Sequence, residues 1–418
     1  MRGSDVGFSG PSGFSSGMRR SWTRVAQMLA VTGLTGLGLA CAGDGHGTVD
    51  PLSGDPALFR WELPAGFVPP DVPADNPMSA AKVELGRRLF YDTRLSGNGA
   101  FACASCHRQE FGFADARNIP VGSTGEAHTR NSMSLANVGY FLPLGWADPL
   151  TPQLEMQALI PMFGDVPVEL GLKGREAELI ARMRSEPVYQ KLFPRSFPGE
   201  ADAYTVPNVT KALAAFQRTF ISLDAPYDRY RRGRVDAISA GARRGEALFF
   251  SQRIGCAQCH SGALFTLAGG PSLPPPSGVI PPPPAAPRED AFFNTGLYNV
   301  SGTGGYPERN RGLFEITGRQ EDMGRMRVPS LRNLGFTFPY MHDGSVGTLE
   351  DVIDHYARGG RLIPAGPNAG DGSLSPFRST RIRPFTVTPA EKADLVAFLR
   401  SLTDSSFVTN RRLSNPWP

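Results

Sequence analysis

The chain has 418 residues, 40% of them hydrophobic, and a formal charge of +4, which gives length for two or three domains with cores of their own. The positive balance comes from scattered arginines. With no lysine-rich run and no basic helix interleaved with aromatics, a nucleic-acid partner is set aside.

Residues 1–41 place Arg19, Arg20 and Arg24 ahead of "VAQMLAVTGLTGLGLAC", an uncharged run of about sixteen residues ending in small residues and Cys41. The run is too short for a membrane span and has the profile of a signal peptide, so it predicts an exported protein of the periplasm or cell envelope. "LAC" fits the acylated cysteine of a lipoprotein; the alternative is an ordinary cleavage site that leaves a free thiol. Residues 42–58 read as a flexible tether that would hold the rest at a membrane surface through the lipid.

Residues 59–235 read as a first domain around "CASCH", with Cys103, Cys106 and His107, and residues 236–418 as a second around "CAQCH", with Cys256, Cys259 and His260. This repeated pattern suits haem c: two thiols add across the two vinyl groups, and the next residue is placed to ligate the iron. Other readings of the cysteines are a redox pair, a tetrahedral zinc set and structural disulfides. A redox pair does not require the histidine, zinc would gather its ligands into one set, and disulfides would not repeat the histidine. Export agrees with haem attachment, which is completed outside the cytoplasm.

Helical periodicity dominates and strand-like alternation is scarce, which predicts a mainly α protein: two cytochrome c-like haem domains with long loops. In "NVTKALAAFQRTFIS", Val209, Ala212, Leu213, Phe216, Phe220 and Ile221 share one helical face. Residues 269–287, "GGPSLPPPSGVIPPPPAAP", can neither continue a helix nor join a sheet and read as an exposed insertion. A helix follows "HDG", opened by a capping box of Thr348 and Asp351, stopped by Gly359 and Gly360, and carrying Tyr356 in its last turn on the face of Leu349 and Val352. Another begins with Thr388 as N-cap, Pro389 at the first helical position and Glu391 closing a capping box.

The two CxxCH sites, with "RNSMSLANVGYF", "GWADPLTPQLEMQALIPMFGDVPVELG", "NTGLYN" and "DMGRMRVPSLRNLGFTFPYMHDGSVGTLEDVIDHYARGG", resemble the bacterial di-haem cytochrome c peroxidase and MauG family, and within it the MauG-like MbnH subgroup. The likeness covers nearly all of the chain after the leader. It implies an enzyme with two unequal haems: one on His107, open to H2O2, and one on His260, six-coordinate, that stores or relays electrons. It implies Glu169 as the group that moves a proton between the peroxide oxygens, with Gln157 and Pro161 lining the same pocket. On residue type alone, Glu169 and Gln157 would read as solvated side chains. Trp146 matches the tryptophan that passes charge between the haems; otherwise it is a core aromatic. The likeness also implies a Ca²⁺ held by Asn131 and the carbonyls of Thr337 and Pro339, hard oxygen donors completed by water.

The peroxidase branch of the family closes its second haem with a methionine, and the MauG branch uses a tyrosine at the position of Tyr356. Met323, Met326 and Met341 are rival ligands, and a structural tyrosine needing only a hydrogen bond is a further alternative. His128 reads as a surface or pocket histidine rather than a ligand. A phenol oxygen favours oxidised iron where a thioether raises the potential, so Tyr356 points to an oxidant of a partner protein. By resemblance that partner is a small copper-binding protein whose tryptophan becomes kynurenine. The alternatives are a peroxidase drawing electrons from a small cytochrome, and a non-enzymatic electron carrier.

Overall fold

The computed structural model describes Asp55, residues 58–269 and residues 288–418. The expected signal peptide with Cys41, nearly all of the 42–58 tether and the proline-rich insertion beyond Gly269 lie outside the described residues. Regular structure is mostly helical, with long irregular connections, as the sparse strand patterning predicts. Among the described residues the strands are two antiparallel pairs, Phe292–Phe293 with Met326–Arg327 and Leu362–Ile363 with Gly370–Asp371.

A first core forms where the Ala80–Tyr91 helix crosses the Val206–Arg218 helix. Ser79 caps the first helix on the Lys82 amide, and Thr205 caps the second on the Asn208 amide. The helices touch backbone to backbone because Gly86 has no side chain: a Cβ there would lie 1.9 Å from the Ala212 carbonyl oxygen. Phe90, Phe113, Phe216 and Phe220 fill the space around the crossing. The second helix ends at Arg218, short of the expected Ile221. The chain turns at Thr219, so buried Phe220 enters the core from that turn rather than from the helical face.

A second core repeats the device. The Ala240–Phe249 helix crosses the Pro389–Ser401 helix, and a Cβ on Gly245 would lie 1.9 Å from the Asp394 carbonyl oxygen. Phe249, Phe265 and Phe398 pack around this crossing. Thr388, Pro389 and Glu391 start the Pro389–Ser401 helix with the predicted capping box. Beyond it the chain returns to the first core, where Phe407 and Leu413 are buried and Trp417 packs against them. A buried network ties the halves: Asn333 Nδ2 donates to Ser222 Oγ at 2.9 Å, and the Asp404 amide donates to Asn333 Oδ1 at 2.9 Å.

Candidate functional site

Each CxxCH begins as one 3₁₀ turn, Cys103–Ser105 and Cys256–Gln258, so its two cysteines and its histidine converge on one cavity. The ring Nδ1 of His107 meets the Phe113 carbonyl at 3.0 Å, and that of His260 meets the Phe265 carbonyl at 3.2 Å. Both phenylalanines adopt left-handed backbone, φ 58° and 53°, where the chain doubles back toward the ring. With Nδ1 donating, each imidazole keeps the Nε2 lone pair for a metal. Burial keeps both rings neutral, lowering His107 and holding His260 at about 4.

All four cysteines are free of disulfides. Burial pushes the Cys103 and Cys256 thiols up to about 12 and Cys106 to about 11, opposite to the lowered values of a redox pair. Among the described residues no cluster of three or more His, Cys, Asp or Glu could hold a metal ion, which removes the zinc reading there. Arg327 provides an independent test of fit to haem. Arg327 is 3% exposed and lines the His260 cavity, with Nε and Nη1 unpartnered among the described residues. Among the described residues Nη2 reaches only the Met133 sulfur, at 3.3 Å, and the Phe141 ring stacks on the cation. Burial lowers this arginine to about 9. A buried cation of this kind calls for an anion, and the propionate carboxylates of a haem have that chemistry.

The first cavity brings together His107, Gln157, Pro161 and Glu169. The Ser123 amide donates to the Glu169 carbonyl at 2.7 Å and the Leu170 amide to the Pro161 carbonyl at 2.9 Å, which pins the segment to the wall. The Glu169 side chain keeps 35% of its surface open, on a wall of the cavity, and the loss of bulk water elsewhere raises its carboxyl to about 7. His128 lies in the same cavity, which resolves the choice between surface and pocket. Its Nδ1 accepts from the Arg130 amide at 3.0 Å, so the neutral ring carries its proton on Nε2, 3.8 Å from Glu169 Oε1. Burial lowers His128 as it raises Glu169, and two groups each favouring the neutral form stand side by side.

The second cavity is lined by Cys256, Cys259, His260 and Tyr356. Tyr356 is carried by the Leu349–Arg358 helix, which ends at Gly359 with φ +78°. The start differs from a full capping box: Thr348 Oγ1 accepts from the Asp351 amide, but the Asp351 carboxylate takes the Thr348 hydroxyl instead of its backbone N–H. Burial raises the Tyr356 phenol, and its hydroxyl makes no hydrogen bond among the described residues. Met326 and Met341 also line this cavity, whereas Met323 packs with Tyr298 and Tyr306.

Trp146 lines both cavities and donates from Nε1 to the Asn131 carbonyl at 2.8 Å. Asn131 spends its amide nitrogen on the Arg117 and Asn118 carbonyls, leaving Oδ1 without a donor among the described residues. The Thr337 and Pro339 carbonyls, on the same cavity wall, likewise accept no hydrogen bond there. Sequence reasoning passed over Arg327 and the Glu169–His128 proximity. In "GRMRVPS" nothing local marks Arg327, rather than Arg325, as the buried arginine.

Two haem c pockets of this form, with unlike opposite walls, define a di-haem oxidoreductase, and the chain belongs to the di-haem cytochrome c peroxidase family, whose pattern matches residues 80–236. It is 37% identical to cytochrome-c peroxidase IdrP1 of Denitromonas iodatirespirans over 81% of this chain and 86% of that one. Identity to the methylamine utilization protein MauG of Methylorubrum extorquens is 33%, over 87% and 89% of the two chains. A solved MauG-like protein associated with microbial copper homeostasis matches with a TM-score of 0.81 and 44% identity, over 86% of this chain and 100% of that one. The diheme peroxidase BthA from Burkholderia thailandensis, 22% identical with a TM-score of 0.56, shares the fold. Membership in the family implies two haem c groups.

Proposed function

We propose that the protein is an exported, membrane-tethered MauG-type oxidase that uses H2O2 to oxidise a side chain of a partner protein. The haem groups supply peroxide activation and storage of oxidising equivalents; the chain supplies attachment, proton handling and an electron path. Cys103, Cys106 and His107 hold the first group, and Cys256, Cys259 and His260 the second. Glu169, near the midpoint of its titration at neutral pH, accepts a proton from peroxide and returns it to the departing oxygen. Gln157 and Pro161 shape that pocket, and the His128 Nε2–H faces the carboxylate.

Trp146, on the wall of both cavities, carries charge between them. Asn131, Thr337 and Pro339 hold a Ca²⁺ beside it, a role supported by three oxygen acceptors left without donors. Acylated Cys41 anchors the chain.

The observation that carries this reading is Tyr356: a half-buried phenol on the wall of the His260 cavity, with no hydrogen-bond partner for its hydroxyl among the described residues. As an iron ligand it favours the oxidised state, which suits a protein-modifying oxidant. The partner we infer is a small copper-binding protein whose tryptophan is converted to kynurenine, in keeping with the copper-homeostasis association of the MauG-like relative. Haem-loaded protein, H2O2 and such a partner encoded nearby are expected to yield a mass change on one partner tryptophan. Rapid oxidation of a small cytochrome with no partner modification supports the second reading, a cytochrome c peroxidase, which Met326 and Met341 on the second cavity favour.

A further inference from the structure

An unbroken run of rings leads away from the wall shared by the two cavities. The Trp146 ring lies 6.3 Å from His342, His342 lies 6.3 Å from Tyr306 at an interplanar angle of 29°, and Tyr306 lies 5.4 Å from Tyr298. His342, Tyr306 and Tyr298 are all buried, at 6%, 7% and 8% exposure, so bulk water does not take their protons. These separations are short enough for an electron to pass ring to ring.

The two tyrosines differ in where a proton can go. The Tyr306 hydroxyl donates to Asn294 Oδ1 at 2.8 Å, and an amide oxygen is far too weak a base to keep that proton. The Tyr298 hydroxyl donates to Asp343 Oδ2 at 2.5 Å. Burial opposes the charge on Asp343, but His342 and the hydrogen bonds from Tyr298 and Ser345 outweigh it, and its carboxyl sits below the usual range. A phenol that loses an electron becomes a strong acid, so only the tyrosine with a carboxylate partner can stop an oxidising equivalent.

We propose that Tyr298 is a proton-coupled storage site for oxidising equivalents, reached from Trp146 through His342 and Tyr306. In the step, Tyr298 gives one electron along the rings to the haem centre oxidised by H2O2, and its O–H bond breaks as Asp343 Oδ2 gains the proton. The products are a neutral tyrosyl radical and a protonated aspartate. Re-reduction by one electron returns the proton to the phenol. Tyr306 serves only as a relay. The inference rests on the peroxide reaction proposed above.

The test is freeze-quench electron paramagnetic resonance of haem-loaded protein given one equivalent of H2O2 without a partner, with the haem absorption recorded on the same samples. The expected result is a radical signal that changes shape with ring-deuterated tyrosine and is absent in Tyr298→Phe, which keeps the ring against Tyr306. Asp343→Asn keeps the tyrosine but removes the proton acceptor, and is expected to slow radical formation by on the order of 10²-fold. A tyrosyl signal undiminished in Tyr298→Phe, or no tyrosyl signal while the haem spectrum responds, overturns the storage site alone. A haem spectrum that peroxide leaves unmoved overturns the peroxide reading beneath it as well.

Discussion

In the first half, Gly86 lets two helices touch, a CxxCH turn follows, and a left-handed Phe113 holds His107 by its carbonyl. In the second half Gly245, a second CxxCH turn and a left-handed Phe265 do the same for His260. The opposite walls diverge. His107 shares its cavity with the polar side chains of Glu169, Gln157 and His128, while His260 shares its cavity with the phenol of Tyr356. The two halves thus repeat the geometry around the CxxCH histidine and differ on the opposite wall, which is where the proposed division between admitting a small oxidant and holding oxidising equivalents would lie.

The comparison is broken most severely at Glu169. Glu169→Gln is expected to slow the peroxide reaction by on the order of 10²–10⁴-fold in stopped-flow absorption, with the spectrum of the second haem unchanged. The wild-type rate is expected to rise with pH through about 7, as the carboxyl loses its proton, and the variant profile to be flat. The same group affects stability with the opposite sign. Its folded value lies above the ordinary 4.5, so its contribution is complete below that pH and is lost as pH rises through about 7. Melting curves of the wild type and Glu169→Gln across this window check it.

Next in size is Tyr356→Met, which would make the second half resemble the peroxidase branch. Its haem potential should rise by on the order of tenths of a volt, within the roughly 0.8 V range that axial ligands span. Spectroelectrochemistry should record that rise while leaving the first haem in place. The smallest effect probes what the halves share: Gly86→Ala and Gly245→Ala each force a methyl group against a backbone carbonyl and should each cost about 1–3 kcal/mol in denaturant titrations. Unequal losses would mean that the two crossings are not equivalent.

Much of this was legible in the sequence because the signals are local. CxxCH fixes its own turn, Thr388 to Glu391 fixes a helix start, and the Leu349–Arg358 helix carries Tyr356 toward the second cavity from caps within a few residues of it. What was not legible depends on contacts across long separations. Glu169 becomes a group titrating near 7 only because residues from elsewhere in the chain bury it, and His128 joins it because its own loop folds over the same cavity. Arg327 is conspicuous only once its burial, with Nε and Nη1 unpartnered among the described residues, is seen. The paired glycines were present in "ELGRRLF" and "RRGEALF", but a glycine within a helix announces a close crossing only once its partner helix is known.

The return of the chain to the first core sets an order of events. Tyr91 donates to the Leu413 carbonyl at 2.7 Å, and Trp417 Nε1 to the Arg88 carbonyl at 3.0 Å. The half whose CxxCH emerges first during synthesis thus acquires its last packing residues only at the end of the chain, after the Ala240–Phe249 and Pro389–Ser401 helices of the second core. A chain delivered in one direction completes its earliest core late, because Phe407, Leu413 and Trp417 belong to that core and are made last.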